Sequence, residues 1–263
     1  MPLVKDRAVV LRRLDYSETS QVLVVFTRDY GQQRLIAKGI KRATKARAST
    51  GIDLLELGQL VFSQRAGREG HLGTLTEWRQ QEAYPHLRRD LTRFYAAQYA
   101  AEITSQLTEV HDPHPRLFDG LCEFLAALAQ EPVLESLVGF VWLLLREIGL
   151  RPELSRCLNC NRAIEHSQEI LFSSREGGAI CRDCESAIVE KRRVGPGVAA
   201  HLAALEDSPA TAEGRTLKRQ PQLNVVALGA FELLDYHVTE IMSRPPRLSA
   251  SLRTALGLAP KRA

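Results

Sequence analysis

Short apolar runs separated by turn-forming residues fill the first eighty positions of the chain. Five of these runs are rich in Val, Leu, Ile and Phe, and they cover residues 9–14, 22–27, 34–37, 57–62 and 72–78. Runs of this length and composition are typical of β-strands. Five short strands in sequence favour a small β-barrel of the OB type, a fold that binds oligonucleotides. A five-stranded fragment of a β-sandwich is the alternative that the pattern leaves open.

From residue 85 onward, the apolar positions change to the three- and four-residue spacing of helices. One stripe covers residues 87–107, a second covers 117–128, and a third helix is predicted from 134 to 150. The third helix is apolar on almost every side. A helix without a polar face must be buried, so it is predicted to form the core of an all-α domain. A last helix is predicted over residues 225–242.

Four cysteines form two pairs with the same spacing, Cys157-x-x-Cys160 and Cys181-x-x-Cys184. In each pair the two intervening residues let both thiolates face one centre, and two pairs complete a tetrahedral zinc shell with Zn–S near ~2.3 Å. A closed shell leaves no open position for a substrate. The spacing therefore predicts one structural Zn²⁺ ion. Between the pairs, residues 170–172 and a turn at Gly177-Gly178 predict a short hairpin.

Four reduced cysteines in a core, or two disulfides, are the alternatives to a metal site. Disulfides need an oxidising compartment. Basic residues interrupt the apolar runs of residues 1–14, so no signal peptide is predicted. Cys122 stands apart on an apolar helical stripe and is expected to be a buried, unreactive thiol.

The charge of the chain is unevenly distributed. The net charge is +4, but residues 1–80 contain 14 Lys and Arg against 8 Asp and Glu. Part of this excess lies in residues 34–47, at the end of the third strand and the start of the loop after it, a stretch that has no acidic residue. Its cations are Arg34, Lys38, Lys41, Arg42, Lys45 and Arg47. A basic, acid-free loop on an OB-type barrel is predicted to follow a phosphate backbone, with binding dominated by charge and weakly specific for sequence.

Several motifs of known function do not occur in the sequence. No apolar run approaches the ~18 residues of a membrane helix. Phosphate-binding, dinucleotide-binding and hydrolase motifs are also missing. We therefore expect a soluble, cytoplasmic protein that is not an enzyme and contacts no membrane. Two alternatives stay open: an RNA-binding or transcription-associated OB and zinc-ribbon protein, and a sirtuin-type deacylase with a zinc ribbon.

Five local motifs follow one another along the chain. They are Tyr16-Ser17-Glu18-Thr19-Ser20, Ala37-Lys38-Gly39 with the basic residues after it, Leu54-Leu55-Glu56-Leu57-Gly58, Leu144-Leu145-Arg146-Glu147-Ile148-Gly149-Leu150-Arg151-Pro152, and Phe172-Ser173 with Gly177-Gly178. In this order they resemble the RecO family of bacterial DNA repair and recombination mediators. Two positions depart from the family pattern. Ala46 stands where the family usually has a serine, and Leu248 where it usually has a lysine.

The resemblance implies a function and a set of partners. A RecO family protein is expected to bind single- and double-stranded DNA and to anneal complementary strands coated by single-strand binding protein. With RecR it is expected to help RecA load onto coated strands, with RecF and RecA as indirect partners. Such a protein works at the nucleoid.

The chain is therefore predicted to be an α+β protein of several domains. An OB-type domain covers residues 1–80, and a helical domain covers 81–155 and 191–243. The four-cysteine zinc knuckle occupies residues 156–190, and residues 244–263 are predicted to form a basic, partly disordered tail.

Overall fold

The first five strands each have a buried face, and they close on themselves to bury it. A computed structural model describes residues 3–42, 51–63, 72–165, 168–205 and 221–258 of the chain. The strands are β1 (Leu3–Asp15), β2 (Gln21–Thr27), β3 (Gly31–Ala37), β4 (Leu57–Ser63) and β5 (Gly73–Glu82). They form a closed barrel in the order β1-β2-β3-β5-β4. The OB-type barrel is thus confirmed, and the β-sandwich alternative is wrong.

Inward side chains from all five strands fill the barrel. They are joined by Ile52 from the β3–β4 connection, and the set is Ala8, Val10, Leu23, Val25, Leu35, Ala37, Ile52, Leu60, Phe62 and Leu75. Burying one of the larger side chains contributes about 1.5–3 kcal/mol. β1 begins six residues earlier than the apolar pattern indicates, because residues 3–9 pair with β4 although several of them are polar.

Two helices pack against the outside of the barrel. They are α1 (Leu91–Leu107), which follows a 3₁₀ helix at Pro85–Arg89, and α2 (Pro115–Ala127). The Asp90 side chain caps α1 by accepting a hydrogen bond from the third helical residue. Phe26 of β2 lies against Phe118 of α2, with ring centroids 6.2 Å apart. Arg28 donates two hydrogen bonds, of 3.1 and 2.9 Å, to the Asp119 carboxylate.

The connection between α1 and α2 lies against the β2–β3 turn. The backbone N–H of His111 donates to the Gln32 carbonyl at 3.1 Å. Gly31 has a φ of 64°, and a Cβ atom at this position would lie 2.1 Å from the Asp112 carbonyl oxygen. Both the backbone conformation and the close approach therefore require glycine here. These contacts explain why residues 1–129 form one compact unit.

Residues 130–263 form the second unit. Its elements are α3 (Val133–Glu147), β6 (Ile170–Ser173), β7 (Gly178–Ile180), β8 (Arg192–Val194), α4 (Val198–Ala204), α5 (Pro221–Met242) and α6 (Ser249–Ala255), with a 3₁₀ helix at Arg182–Ala187. α3 is buried along most of its length, as its apolar pattern predicted, and it packs against α5. The predicted hairpin is β6–β7. Its partner β8 was not predicted, because three residues carry too little periodicity.

The described part of the predicted tail contains a helix. Ser249, at the start of α6, donates its hydroxyl hydrogen to the buried Asp235 carboxylate on α5, with oxygens 2.9 and 3.1 Å away. Arg253 pairs with Glu232 at 3.0 Å. These polar contacts and the buried Leu252 hold α6 on α5. Residues 259–263 lie outside the described residues, and the domain limits taken from the sequence stay predictions.

Candidate metal centre and nucleic-acid interface

The four paired cysteines converge in the second unit. Cys157 and Cys160 lie in the loop after α3, Cys181 follows β7, and Cys184 lies in the 3₁₀ helix. Their four Sγ atoms all lie within 4.8 Å of one another. Among the residues that the structure describes, no other three His, Cys, Asp or Glu side chains converge in this way.

The spacing of the sulfur atoms fits a metal shell. A tetrahedron with metal–sulfur bonds of ~2.3 Å has sulfur–sulfur edges of ~3.8 Å. The Sγ atoms of Cys160 and Cys181 are 3.6 Å apart, close to that edge and well beyond the ~2.05 Å of a disulfide. The four thiols are free. This donor set can hold one metal ion, and it excludes the two-disulfide alternative.

The first knuckle is shaped by a tight turn. Asn161 adopts a φ of 60°, a left-handed conformation that asparagine tolerates better than most residues, and its N–H donates to the Cys157 carbonyl at 2.8 Å. The chain then returns, and the Cys157 N–H donates to the Arg162 carbonyl at 2.8 Å. The turn points both sulfur atoms of the pair to the same side.

Backbone N–H groups also prepare the buried thiol for a metal. Burial alone would raise the pKa of Cys157, but backbone N–H groups of Cys181, Cys160 and Asn159 outweigh it and lower the pKa to about 6. The Cys181 N–H lies 3.3 Å from the Cys157 Sγ. Because the thiolate is the form that binds metals, these hydrogen bonds favour the ligand state.

A buried histidine connects three segments of the second unit. His237 of α5 is 4% exposed, and its Nε2 donates to the Leu150 carbonyl at 3.0 Å. Its Nδ1 therefore accepts from the Ser174 hydroxyl at 2.6 Å, which fixes the neutral tautomer. Both ring nitrogens are used for structure. His237 is thus a satisfied helix residue, and it links α5 to the loop after α3 and to the β6–β7 turn.

Acid should weaken the second unit through His237. Burial lowers the pKa of His237 below its ordinary value of 6.5. As the pH falls below the ordinary value, the unfolded chain takes up a proton that the folded chain does not, so stability is lost. We expect the free energy of unfolding of the wild type to fall more between about pH 7.5 and about pH 5.5 than that of His237→Gln. The difference between the two losses should be at most ~1.4 kcal/mol per pH unit. Urea titrations at both pH values test this, and equal losses in the two proteins would contradict it.

In the first unit, the outer face of β1, β2 and β3 has two parts. Near the β2–β3 turn, the cross-strand neighbours Val9 and Phe26 are fully buried. Toward the β1–β2 turn, the outward side chains are exposed or half-buried and lie in two rows across the strands. The arginine row consists of Arg12, Val24 and Arg34, and the apolar row consists of Leu14, Val22 and Ile36.

The opposite outer face of the barrel, unlike the two rows, carries an acidic residue. On that face the rows across β1, β4 and β5 place Lys5 and Glu77 on either side of Val61, and Arg7 and Arg79 on either side of Gln59. Three of these four charged residues are basic, and Glu77 is acidic. The arginine row and the apolar row contain no acidic residue, so a polyanion is attracted to this face of the barrel.

The predicted DNA-binding residues fall into three groups. Three are exposed: Arg34, Lys38 and Arg42. Lys41 is instead half-buried, and its Nζ donates to Asp15 Oδ2 at 2.6 Å. This hydrogen bond is the largest of the effects that lower the pKa of Asp15, so the carboxylate is ionised at neutral pH. Two lie outside the described residues: Lys45 and Arg47.

The residues on either side of the predicted basic loop are anchored beside the β1–β2 turn. Upstream, the Lys41 N–H donates to the Thr19 carbonyl at 3.1 Å. Downstream, the Ile52 N–H donates to Gln21 Oε1 at 2.9 Å, and Asp53 forms two ion pairs with arginines, at 2.9 and 2.7 Å. Both flanks therefore meet the barrel at the end where the two rows are exposed.

Arg12 is a candidate residue that the sequence did not indicate. It lies on β1, far along the chain from the basic loop, and becomes a neighbour of Arg34 only because both pair with Val24. The side chains of Arg12, Arg34 and Lys38 make no hydrogen bond or ion pair with another residue in the described part of the chain. Their charges are therefore available to a ligand.

Family models match both halves of the chain. Residues 1–84 match Recombination protein O N terminal, and residues 88–241 match Recombination protein O C terminal. The chain belongs to the RecO family. A relative from Anaeromyxobacter dehalogenans, called DNA repair protein RecO, is 32% identical over 208 residues, which is 79% of this chain and 80% of the relative. A relative of the same name from Halalkalibacterium halodurans is 31% identical over 68% of this chain and 68% of its own length. Another from Alkaliphilus metalliredigens is 34% identical over 69% of this chain and 72% of its own length.

The two candidate sites lie in different RecO segments. The arginine and apolar rows belong to the N-terminal RecO match, and the four cysteines belong to the C-terminal match. Among the described residues, no helix is both long enough and apolar enough to cross a bilayer.

Proposed function

We propose that this RecO family chain is a non-enzymatic DNA repair and recombination mediator that binds single- and double-stranded DNA through its barrel. The observation that carries the proposal is a set of exposed cations that form no ion pair with any described residue: Arg12, Arg34 and Lys38, with exposed Arg42 beside them. These side chains are long and exposed. They can contact phosphates, but they do not form a rigid pattern of hydrogen-bond donors and acceptors that would recognise particular bases. Such a surface binds phosphates of many sequences and both strand states.

The same surface supports strand annealing. Two complementary strands repel each other through their phosphates, and a row of cations that holds one strand lowers this repulsion for the second. Annealing by this route needs no nucleotide hydrolysis. We propose that the substrate is a pair of strands coated by single-strand binding protein, and that RecR joins the chain to promote RecA loading, with RecF and RecA as indirect partners. The protein would act in the cytoplasm, at the nucleoid.

For the cysteine cluster we propose one structural Zn²⁺ ion. Four thiolates in a tetrahedral arrangement are the shell that zinc prefers in structural sites. The ion would be held by Cys157, Cys160, Cys181 and Cys184. All four positions of the shell come from the protein, so the metal would stabilise the fold and take no part in chemistry.

The experiment that tests the function is annealing of two complementary strands precoated with single-strand binding protein, without nucleotide. We expect the chain to accelerate annealing at low salt and less so at physiological salt. Four phosphate contacts, one for each exposed cation, predict a slope of log affinity against log salt of about −2.8 on single strands. Absence of acceleration at every salt concentration would contradict the mediator function. Tighter binding to structured RNA than to DNA would favour the RNA-binding alternative.

A further inference from the structure

Tyr16 is an exposed aromatic residue at the edge of the cationic face. It follows β1 directly, is 66% exposed, and lies two residues from Leu14, which is 59% exposed. Leu14 begins the apolar row, whose other members are half-buried. Large apolar side chains are more stable when they are buried away from water. An exposed group of them, beside cations that form no ion pair in the described part of the chain, therefore indicates a binding surface.

The other aromatic residues of the barrel are not available in this way. Phe26 and Phe62 are fully buried, and Trp78 packs partly buried against the barrel core. Tyr30 is 37% exposed, but it lies at the β2–β3 turn and contacts the Phe62 ring edge-on, with centroids 6.0 Å apart. Among these five residues, Tyr16 is the one that is largely exposed at the end of the barrel where the arginine and apolar rows lie.

The turn that carries Tyr16 is held in place by its own hydrogen bonds. The Tyr16 N–H donates to the Ser20 carbonyl at 3.0 Å, and the Ser20 N–H donates to the Ser17 carbonyl at 3.4 Å. The turn also contacts the basic segment, because the Thr19 carbonyl accepts from the Lys41 N–H at 3.1 Å. Tyr16 is therefore held beyond the apolar row, in a turn that meets the basic segment, before a ligand arrives.

The alternation of apolar and charged rows matches the chemistry of an unpaired nucleic-acid strand. Neighbouring rows on one face of a sheet are ~7 Å apart along the strand. A strand lying across this face can place phosphates on Arg12 and Arg34 and turn its bases toward the apolar row and Tyr16. Each base of a single strand has a free face that an aromatic ring can cover.

We propose that Tyr16, with the apolar row of Leu14, Val22 and Ile36, forms a base-stacking subsite that makes this face prefer single-stranded DNA. The proposal rests on the DNA-binding function proposed above and adds strand selection to it. A duplex keeps its bases stacked on each other, so it gains the phosphate contacts and not the contact with Tyr16. The cations bind single-stranded and duplex DNA alike, and the additional contact with the Tyr16 ring makes the affinity for single strands higher.

The test compares Tyr16→Ala, Tyr16→Phe and the control Tyr30→Ala in the full chain. The probes are a labelled oligothymidine, the same strand without bases, and a duplex of equal length. We expect Tyr16→Ala to weaken binding of oligothymidine by about fivefold or more and binding of the duplex by less than about twofold. Tyr16→Phe and Tyr30→Ala should bind oligothymidine like the wild type, and the abasic strand should be insensitive to Tyr16. Thermal unfolding of each variant shows that the fold is retained.

The outcomes separate this subsite from the general function. If the wild type binds both DNA forms and Tyr16→Ala changes neither, or weakens both equally, the stacking subsite is wrong while the DNA-binding function stands. If Tyr16→Phe is as weak as Tyr16→Ala, the phenol oxygen and not the ring is responsible, which also overturns the stacking subsite. If the wild type binds none of the probes, the proposed function fails and the subsite fails with it.

Discussion

Replacement of Cys157 by serine should release the metal and unfold the small sheet around it. Cys157 is 1% exposed and belongs to the same buried cluster as Leu171 and Ile180. The sheet has strands of only four, three and three residues, too small to be stable without support. Structural zinc contributes about 10–16 kcal/mol in small zinc-dependent domains. We therefore expect the unfolding midpoint of the second unit to fall by about 10 °C or more.

Metal content, measured on freshly purified protein, should be one ion per chain in the wild type and close to none in Cys157→Ser. Cys122→Ser is the matched control, because Cys122 does not belong to the four-cysteine cluster. Burial raises the pKa of the Cys122 thiol to about 12. The control should keep its metal and its unfolding midpoint. DNA affinity of the barrel face should be unchanged in both variants, since its residues belong to the other unit. A wild-type protein without metal, or a Cys157→Ser variant that keeps it, would contradict the metal centre.

Removal of the two arginines of the arginine row should strongly weaken DNA binding without changing the fold. Arg12 and Arg34 are exposed and make no side-chain contact to a described partner, so Arg12→Ala with Arg34→Ala removes charge and little packing. Each phosphate contact on a single strand changes affinity by about fivefold between 1 M and 0.1 M salt, so two contacts predict about a 25-fold loss at 0.1 M. The slope of log affinity against log salt should become shallower by about 1.4.

The control variant loses the same net charge, but from the opposite face of the barrel. Lys5→Ala with Arg79→Ala removes two exposed cations from the face that β1, β4 and β5 present. Fluorescence anisotropy with a labelled single strand, repeated over a range of salt, measures both variants. We expect the control to lose less than about threefold in affinity, because only the general charge of the protein changes. Equal losses in the two variants would show that the arginine row is not the binding site.

The structure separates Lys41 from Arg42 as a candidate DNA-binding residue. Both residues lie in one acid-free segment of the sequence. Asp15, twenty-six residues upstream, now occupies the Lys41 amine, so Lys41 must leave this carboxylate before it can bind a phosphate. Arg42 is exposed, and among the described residues its side chain carries no such ion pair.

Several features followed from the sequence because their causes are local. The barrel strands are visible as apolar runs, since most inward side chains are apolar and fill the core. α3 is visible because it has almost no polar face, and the cysteine pairs are visible because a two-residue gap is what lets two thiolates face one metal. The β6–β7 hairpin shows in Gly177, whose φ of 83° favours glycine. Each of these signals lies within a few neighbouring residues.

The remaining features depend on pairing between distant segments, which no local pattern records. The neighbourhood of Arg12 and Arg34 depends on strand register, because a shift by one residue would turn both side chains to the other face. The exposed position of Tyr16 and the pairing of Lys41 with Asp15 depend on which turns meet at one end of the barrel. The sequence alone thus determined the barrel strands, the buried helix and the four cysteines that converge. The pairing of β1, β2 and β3 decided which cations and which aromatic residue share one end of the barrel, because that surface is assembled from three strands and the turns beside them.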